Sequence, residues 1–190
     1  MTLKGTELFT INGNSSALSV GDFWSWAYSD LINNTERGVL GEFLVYSSLF
    51  CPNSSQSRVN WTPYDILSST GRRIEVKTAA YLQSWESDYY SKILFNISPR
   101  RTWHPDEGYS ADSSRRSDLY VFCLFTATSR EQSILNLDLW EFYLLPTAVL
   151  DREKGTQKSI GLQSLLQLSP LKVDYAGLGD AIETLDLQRK

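Results

Sequence analysis

The sequence predicts an α/β protein, a single domain with a central mixed β-sheet flanked by helices. Residues 119–126 form a continuous apolar run, which is typical of a strand covered on both faces. Upstream, residues 20–33 and 35–50 place apolar side chains at helical spacing. Between them lie two segments, around residues 64–67 and 73–82, that predict two strands joined by a turn. Helices, strands and helices in this order are expected to pack as layers around one sheet.

The N-terminal part of the chain contains both predicted helices. Residues 1–18 are polar and weakly patterned, which predicts a short strand or an irregular arm. Ser19 can cap the first helix and Thr35 the second. The second helix carries Glu42 inside its apolar band, beside two glycines. Because glycine weakens a helix, this pattern indicates close packing against another element. A partly exposed glutamate on an ordinary helix is the alternative.

The later elements complete a single domain that covers residues 1–190. A polar segment with two prolines, about residues 99–118, predicts a flexible insertion. The other predicted elements are strands at 92–97 and 140–145, a helix at 147–153, a segment at 160–168 that fits a strand or a helix, and a closing helix at 175–185. Residues 140–190 form a C-terminal extension of this domain.

Composition excludes several classes of protein. No apolar run approaches the roughly 20 residues that span a bilayer, and the N-terminus lacks a secretory pattern. We therefore expect a cytoplasmic protein with no membrane partner. Cys51 and Cys123 lie in apolar surroundings, which predicts reduced core residues. The single histidine, His104, excludes sites built on several imidazoles, and phosphate-binding glycine motifs are missing. Chemistry must therefore depend on carboxylates, lysine, hydroxyl groups and a metal ion.

Charge argues for local rather than general binding of polyanions. The net charge is −4, so phosphate neutralisation by the whole surface is not expected. Basic residues nevertheless cluster in the middle of the chain, and an aromatic residue that could stack on bases, or lie in the core, follows the second central strand. We predict nucleic-acid contacts for Arg72, Arg73, Arg100, Arg101 and Trp85. A solvated surface with scattered arginines is the alternative.

The two central strands carry the candidate site. Since side chains alternate along a strand, Glu75 and Lys77 share one face while Ile74 and Val76 share the other. In a hairpin, Asp65 on the first strand can lie beside them. Two carboxylates and a lysine can hold a divalent metal next to a phosphate. A solvated strand face is the alternative, but the apolar neighbours indicate an inner strand, where uncompensated carboxylates are costly.

These residues resemble a known family. Glu42 in the helical segment ERGVLGEFLVYSSL, then Asp65, then Glu75-Val76-Lys77 is similar to the pattern of the PD-(D/E)XK nuclease superfamily. The resemblance covers about residues 35–126. Gln83 in AYLQSW corresponds to a glutamine that often follows the second strand in this family. The sequence departs from the pattern at Pro63, which stands two residues before the aspartate rather than next to it.

The resemblance implies a restriction-endonuclease-like fold and a metal-dependent endonuclease that hydrolyses phosphodiester bonds. DNA is favoured over RNA, in restriction, repair or a mobile element. Asp65, Glu75, the Val76 carbonyl and Glu42 would hold Mg²⁺, with Mn²⁺ as a substitute, and Lys77 would position water or stabilise the reacting phosphate. A homodimer is compatible with this expectation. The alternative function is a non-catalytic nucleic-acid-binding or assembly protein that retains the fold.

Overall fold

The structure is a computed structural model that describes residues 2–50, 58, 62–85, 89–104 and 108–188, with the backbone alone over 102–104 and 108–111. Cys51 and the side chain of His104 lie outside the described residues. The strands are β1 (Leu8–Ile11), β2 (Asn14–Ser19), β3 (Ile66–Leu67), β4 (Arg73–Ala80), β5 (Leu94–Asn96), β6 (Arg100–His104), β7 (Gly108–Ser114), β8 (Leu119–Phe125), β9 (Trp140–Pro146), β10 (Ser159–Gly161) and β11 (Leu171–Val173). The helices are α1 (Val20–Tyr28), α2 (Asn34–Leu49), α3 (Thr147–Lys154), α4 (Leu162–Leu166) and α5 (Tyr175–Thr184).

A five-stranded sheet in the order β11-β9-β8-β4-β3 forms the centre of the fold. β4 and β8 are parallel, and the other neighbouring strands are antiparallel, which confirms the predicted mixed sheet. Ile74 and Val76 face a core shared with α2 and α5. The opposite face carries Phe122, which packs against Phe95 of β5 in a second core together with residues of α3 and α4. The predicted α/β architecture with helices around a central sheet is therefore present.

The strongest sequence signals correspond to the most regular elements. All seven residues of β8 are buried, as a strand covered on both faces requires. Cys123 on this strand is buried and free, which confirms its predicted place in the core. Ser19 caps α1 in a capping box with Asp22, since each residue's side chain accepts from the other's backbone N–H. For α2 the cap is Asn33 rather than the predicted Thr35, because asparagine is the stronger N-cap residue.

The polar segment predicted as a flexible insertion is instead an antiparallel hairpin of β6 and β7, with Trp103 opposite Tyr109. Threonine, tryptophan and tyrosine favour strands, and this preference outweighs the polar composition around them. β1 and β2 also pair as a hairpin, which settles the N-terminal alternative in favour of strands. The ambiguous segment 160–168 contains both alternatives in succession, β10 and then α4.

Three strands of the described chain were not predicted: β6 and β7, which form the hairpin described above, and β11. β11 is three residues long and pairs with β9 at the edge of the sheet. Its formation depends on that pairing, since three residues are too few for an alternating pattern. Within the described part of the chain, no helix has the length and apolar character needed to cross a bilayer.

Candidate active site

The candidate site lies at the beginning of β3, where β4 continues along the edge of the sheet without a partner strand on that side in the described chain. β3 pairs with only the first residues of β4, through Ile66 opposite Ile74. Asp65 extends this contact in two ways. Its backbone N–H donates to the Ile74 carbonyl at 2.9 Å. Its carboxylate accepts from the Val76 N–H, with 2.7 Å between Oδ2 and the nitrogen. The side chain of Asp65 thus lies against the edge of β4, where a further residue of β3 would otherwise pair.

Glu75 and Lys77 form an ion pair on the same strand, with 2.6 Å between Lys77 Nζ and Glu75 Oε1. Only 11% of the glutamate side chain and 17% of the lysine side chain are exposed. Tyr120 lies opposite Glu75 on β8. Burial raises the pKa of Tyr120 to about 12, and the negative charge of Glu75 adds to this effect. The phenol is therefore neutral at physiological pH, and Lys77 is the cation that balances Glu75.

The structure thus brings three predicted residues together around Val76. Asp65 contacts the backbone of Val76, while Glu75 and Lys77 are its neighbours along β4. The N–H and the carbonyl of a strand residue point to the same side, so the Val76 carbonyl also faces this edge. Two carboxylates, one backbone carbonyl and one ammonium group then border one region of the sheet. In the described part of the chain, no group of three or more histidine, cysteine, aspartate or glutamate side chains could hold a metal ion.

Helix α2 packs closely on the face of β4 that carries Val76 and Thr78, which is opposite to the face of Glu75 and Lys77. A Cβ added at Gly41 would lie 2.1 Å from Thr78 Oγ1, so only glycine permits the observed approach of α2 to β4. This contact confirms the close packing predicted from the glycines beside Glu42. At Gly38 an added Cβ would meet nothing within 4 Å, so the two glycines have different roles.

Glu42 itself is paired with Arg58. Both of its carboxylate oxygens accept from the guanidinium group, and the contact from Arg58 Nη2 to Glu42 Oε1 is 2.8 Å. This hydrogen bond raises the pKa of Arg58 against the opposing effect of burial, and the charges of Glu42 and Asp65 raise it further. The positive charge of Arg58 therefore acts on both acids. Sequence analysis missed this residue, because a lone arginine in a polar segment carries no pattern that reveals its partner.

Gln83 connects the end of β4 to the beginning of α2. Its Oε1 accepts from Arg37 Nη2 at 3.3 Å, and its Nε2 donates to the Ala80 carbonyl at 3.1 Å. Arg37 is only 3% exposed, and burial lowers its pKa. It also donates to the Ile32 carbonyl at 2.6 Å. Gln83 thus helps to satisfy a buried guanidinium. The sequence signal that could have revealed this contact is the position of Arg37, a charged residue in the same helix as the apolar band.

The predicted nucleic-acid contacts divide into two groups. Arg72 donates to the Leu185 carbonyl at 2.7 Å. Arg73 makes a two-point contact with Asp118, and this hydrogen bonding is the main reason that the pKa of Asp118 is lowered. The second group consists of surface residues: Arg100 and Arg101 are exposed on β6, and Trp85 is 55% exposed. Nucleic-acid binding by either group stays a prediction.

Comparison with known proteins adds no assignment to this geometry. No protein-family model matches the chain. No curated protein matches it either.

Proposed function

We propose that the protein is a Mg²⁺-dependent endonuclease that hydrolyses phosphodiester bonds in DNA, on a restriction-endonuclease-like fold of the PD-(D/E)XK type. The observation that carries this proposal is the hydrogen bond from Val76 to Asp65 at the edge of β4, between Glu75 and Lys77. It places the two acids of one hairpin beside Lys77 at the edge of the sheet. The proposal is supported by the placement of these residues and by the similarity of their sequence pattern to that of the family.

The donor set suits Mg²⁺. Asp65, Glu75 and the Val76 carbonyl offer only oxygen atoms, which Mg²⁺ and Mn²⁺ prefer, whereas Zn²⁺ favours nitrogen and sulfur. A bound ion would supply an activated water and would offset charge on the scissile phosphate. Glu42 can act as a further ligand only after it exchanges its contact with Arg58.

Lys77 has a separate part in the proposed chemistry. Its ammonium group is held 2.6 Å from Glu75 in a largely buried position, so it loses little freedom when substrate binds. A positive charge fixed in a site of restricted water stabilises negative charge that develops on a phosphate, or orients the attacking water. Replacement of Lys77 by methionine would keep much of the side-chain volume while removing that charge.

The strand that carries these groups is well supported. β4 pairs with β8 along its whole length beyond Arg73, and Ile74 and Val76 are buried in the core. Functional groups on a packed strand keep their geometry better than groups on a loop. Chelation of the metal is therefore expected to stop cleavage without unfolding the protein.

A non-catalytic nucleic-acid-binding or assembly protein is the second candidate function. The pairing of Glu42 with Arg58 favours it, because a guanidinium group already neutralises the helix-borne acid. In this alternative, the carboxylates of the site would serve the fold alone. Binding of nucleic acid would then occur without hydrolysis and would not depend on a divalent ion.

A digestion panel separates the two candidates. The protein is incubated with supercoiled plasmid, linear duplex, single-stranded DNA and RNA, in Mg²⁺, Mn²⁺, Ca²⁺, Zn²⁺ or EDTA. The proposal expects cleavage of DNA in Mg²⁺ and Mn²⁺, little turnover in Ca²⁺ or Zn²⁺, and none in EDTA. Cleavage that persists in EDTA would contradict it. Binding to the same substrates without cleavage in any metal would favour the non-catalytic alternative.

A further inference from the structure

Residues 2–28 form an N-terminal unit that is separate from the two cores of the domain. β1 and β2 pair only with each other in the described chain. α1 is fastened to the segment before β1 by backbone hydrogen bonds, from Val20 N–H to the Glu7 carbonyl and from Gly21 N–H to the Gly5 carbonyl. The apolar residues of this unit belong to neither core, and contact with the core resumes at Leu31 and Ile32.

Helix α1 exposes an unusual amount of aromatic surface. Apolar residues occupy more than half of its circumference, although an arc of about 100° is enough to bury one face of a helix. Only Val20 is buried. The exposed aromatic residues range from 40% for Trp24 to 83% for Trp26, with Phe23 and Tyr28 between them. A helix with this composition is expected to be covered on two sides.

The hairpin also exposes apolar residues. Its exposed residues are Leu8, Phe9, Ile11 and Leu18. A two-stranded hairpin is marginally stable by itself in water. The five aromatic residues of the unit, at about 200 Å² each when whole, expose roughly 500 Å² over the helix and the hairpin together, and the aliphatic residues add to this apolar exposure.

The charges of the unit indicate what kind of partner it fits. Lys4 is its only cation, and its two acids already have local partners. Glu7 accepts from the Lys4 and Gly5 backbones, and Asp22 from Ser19. This surface therefore has too little positive charge to favour an anionic membrane or a nucleic acid. It also offers little charge pattern with which to select a different protein.

We propose that the N-terminal unit is a homodimerisation surface, covered by the same unit of a second copy of the chain. A two-fold interface brings identical patches together, so an apolar surface with little charge is complementary to itself. The exposed Trp26 is the expected centre of the contact, since tryptophan and tyrosine dominate interface energetics. This inference does not depend on the proposed hydrolytic function, because none of the residues involved belongs to the candidate site.

Analytical ultracentrifugation over a dilution series tests the proposal. The full chain is expected to sediment at twice its mass of 21.6 kDa and to dissociate on dilution. Trp26→Glu should weaken dimerisation at least ~30-fold, the change that corresponds to removal of a hot-spot residue. Ile11→Lys on the hairpin should act in the same direction. Trp85→Glu is the matched control, an exposed tryptophan outside the unit, and should leave the dimer unchanged.

Circular dichroism of each variant checks that the fold is retained, and cosedimentation with phosphatidylcholine vesicles tests the main competing occupant. A wild-type protein that is monomeric throughout the series would overturn the proposal. So would a dimer that is equally stable in the folded Trp26→Glu and Ile11→Lys variants. Vesicle binding by the monomeric wild type, abolished in Trp26→Glu, would overturn it in favour of a membrane surface.

Discussion

The carboxylate of Asp65 and the backbone N–H of Val76 are joined by a 2.7 Å hydrogen bond at the point where β3 begins. One side chain thereby closes the edge of β4 and lies beside the proposed metal ligands. A charged acceptor makes a stronger hydrogen bond to a backbone N–H than a neutral one does. Asp65 therefore has a structural task that is separable from its proposed catalytic task.

Two substitutions at Asp65 should separate these tasks. Asp65→Asn keeps an oxygen that can accept from Val76 but removes the negative charge. Asp65→Ala removes both. We expect Asn to retain most of the stability, and Ala to lower the free energy of unfolding by a further ~1 kcal/mol, while neither variant cleaves DNA. Urea unfolding and a cleavage assay measure the two effects. Equal stability of the two variants would show that the hydrogen bond contributes nothing measurable.

The two glycines of α2 offer a test of how the helix is placed. Gly41→Ala would put a methyl group 2.1 Å from Thr78 Oγ1, so the helix must shift away from β4. Such overpacking typically costs about 1–3 kcal/mol. Gly38→Ala is the matched control, since its methyl group meets nothing and alanine favours the helix by up to ~1 kcal/mol. The temperature of thermal unfolding should therefore fall in Gly41→Ala and rise in Gly38→Ala, relative to wild type. A stabilised Gly41→Ala variant would contradict the observed packing.

Glu183 on α5 should make the free energy of unfolding depend on pH. Burial raises the pKa of Glu183, but hydrogen bonds from the hydroxyl groups of Thr70, Ser69 and Ser68 outweigh it and lower the pKa below its usual value. A carboxyl group with a lowered pKa stabilises the fold above its unfolded pKa. That contribution disappears as the pH falls through the folded value.

Thermal unfolding of the wild type and of Glu183→Gln, from neutral to acidic pH, measures this contribution. The wild type should be the more stable of the two at neutral pH, and the difference should shrink once the pH falls below the unfolded pKa of about 4.3. Glu153→Gln, at an exposed ion pair on α3, serves as the control and should show a smaller change. A difference in stability between wild type and Glu183→Gln that stays constant over the whole pH range would rule out a contribution from the hydrogen bonds between Glu183 and residues 68–70.

The arginines should differ in their effect on nucleic-acid binding. Arg72 and Arg73 already contact Leu185 and Asp118, so their joint replacement by glutamine should chiefly lower stability. Arg100 and Arg101 are exposed, and their joint replacement by glutamine should make binding of duplex DNA less sensitive to salt. The slope of log K against log salt should fall by ~0.9 for each phosphate that the variant no longer neutralises. Fluorescence anisotropy at several salt concentrations measures the slope. An unchanged slope in the second variant would leave these arginines as ordinary surface charge.

Much of the fold could be predicted from local patterns. β8 is an apolar run, and α2 and α5 have apolar stripes, so their burial follows from the hydrophobic effect alone. The grouping of Asp65 with Glu75 and Lys77 followed from strand alternation and a turn with Gly71 at φ +85°. The α/β class was confirmed on this basis, whereas the restriction-endonuclease-like fold and the nuclease activity remain proposals.

Other features depend on contacts between distant parts of the chain and leave no local signal. The partner of Glu42 is Arg58, in a polar segment beyond the end of α2. β11 exists because β9 offers an edge to it. An aromatic residue in a helix is usually expected to be buried, whereas Trp26 is exposed. Its exposure follows from the position of α1 outside the two cores, which the sequence does not indicate.

The central claim is that Glu75 and its neighbours on β4 hydrolyse DNA with a divalent metal. The most direct measurement is the rate of plasmid cleavage in Mg²⁺ by the wild type, by Glu75→Gln and by Glu141→Gln. Glu141 is a matched control because it forms the same kind of pair, with 2.5 Å to Lys172, on β9. The account predicts wild-type rates for Glu141→Gln and a rate on the order of 100-fold or more lower for Glu75→Gln. Equal cleavage by wild type and Glu75→Gln would contradict it.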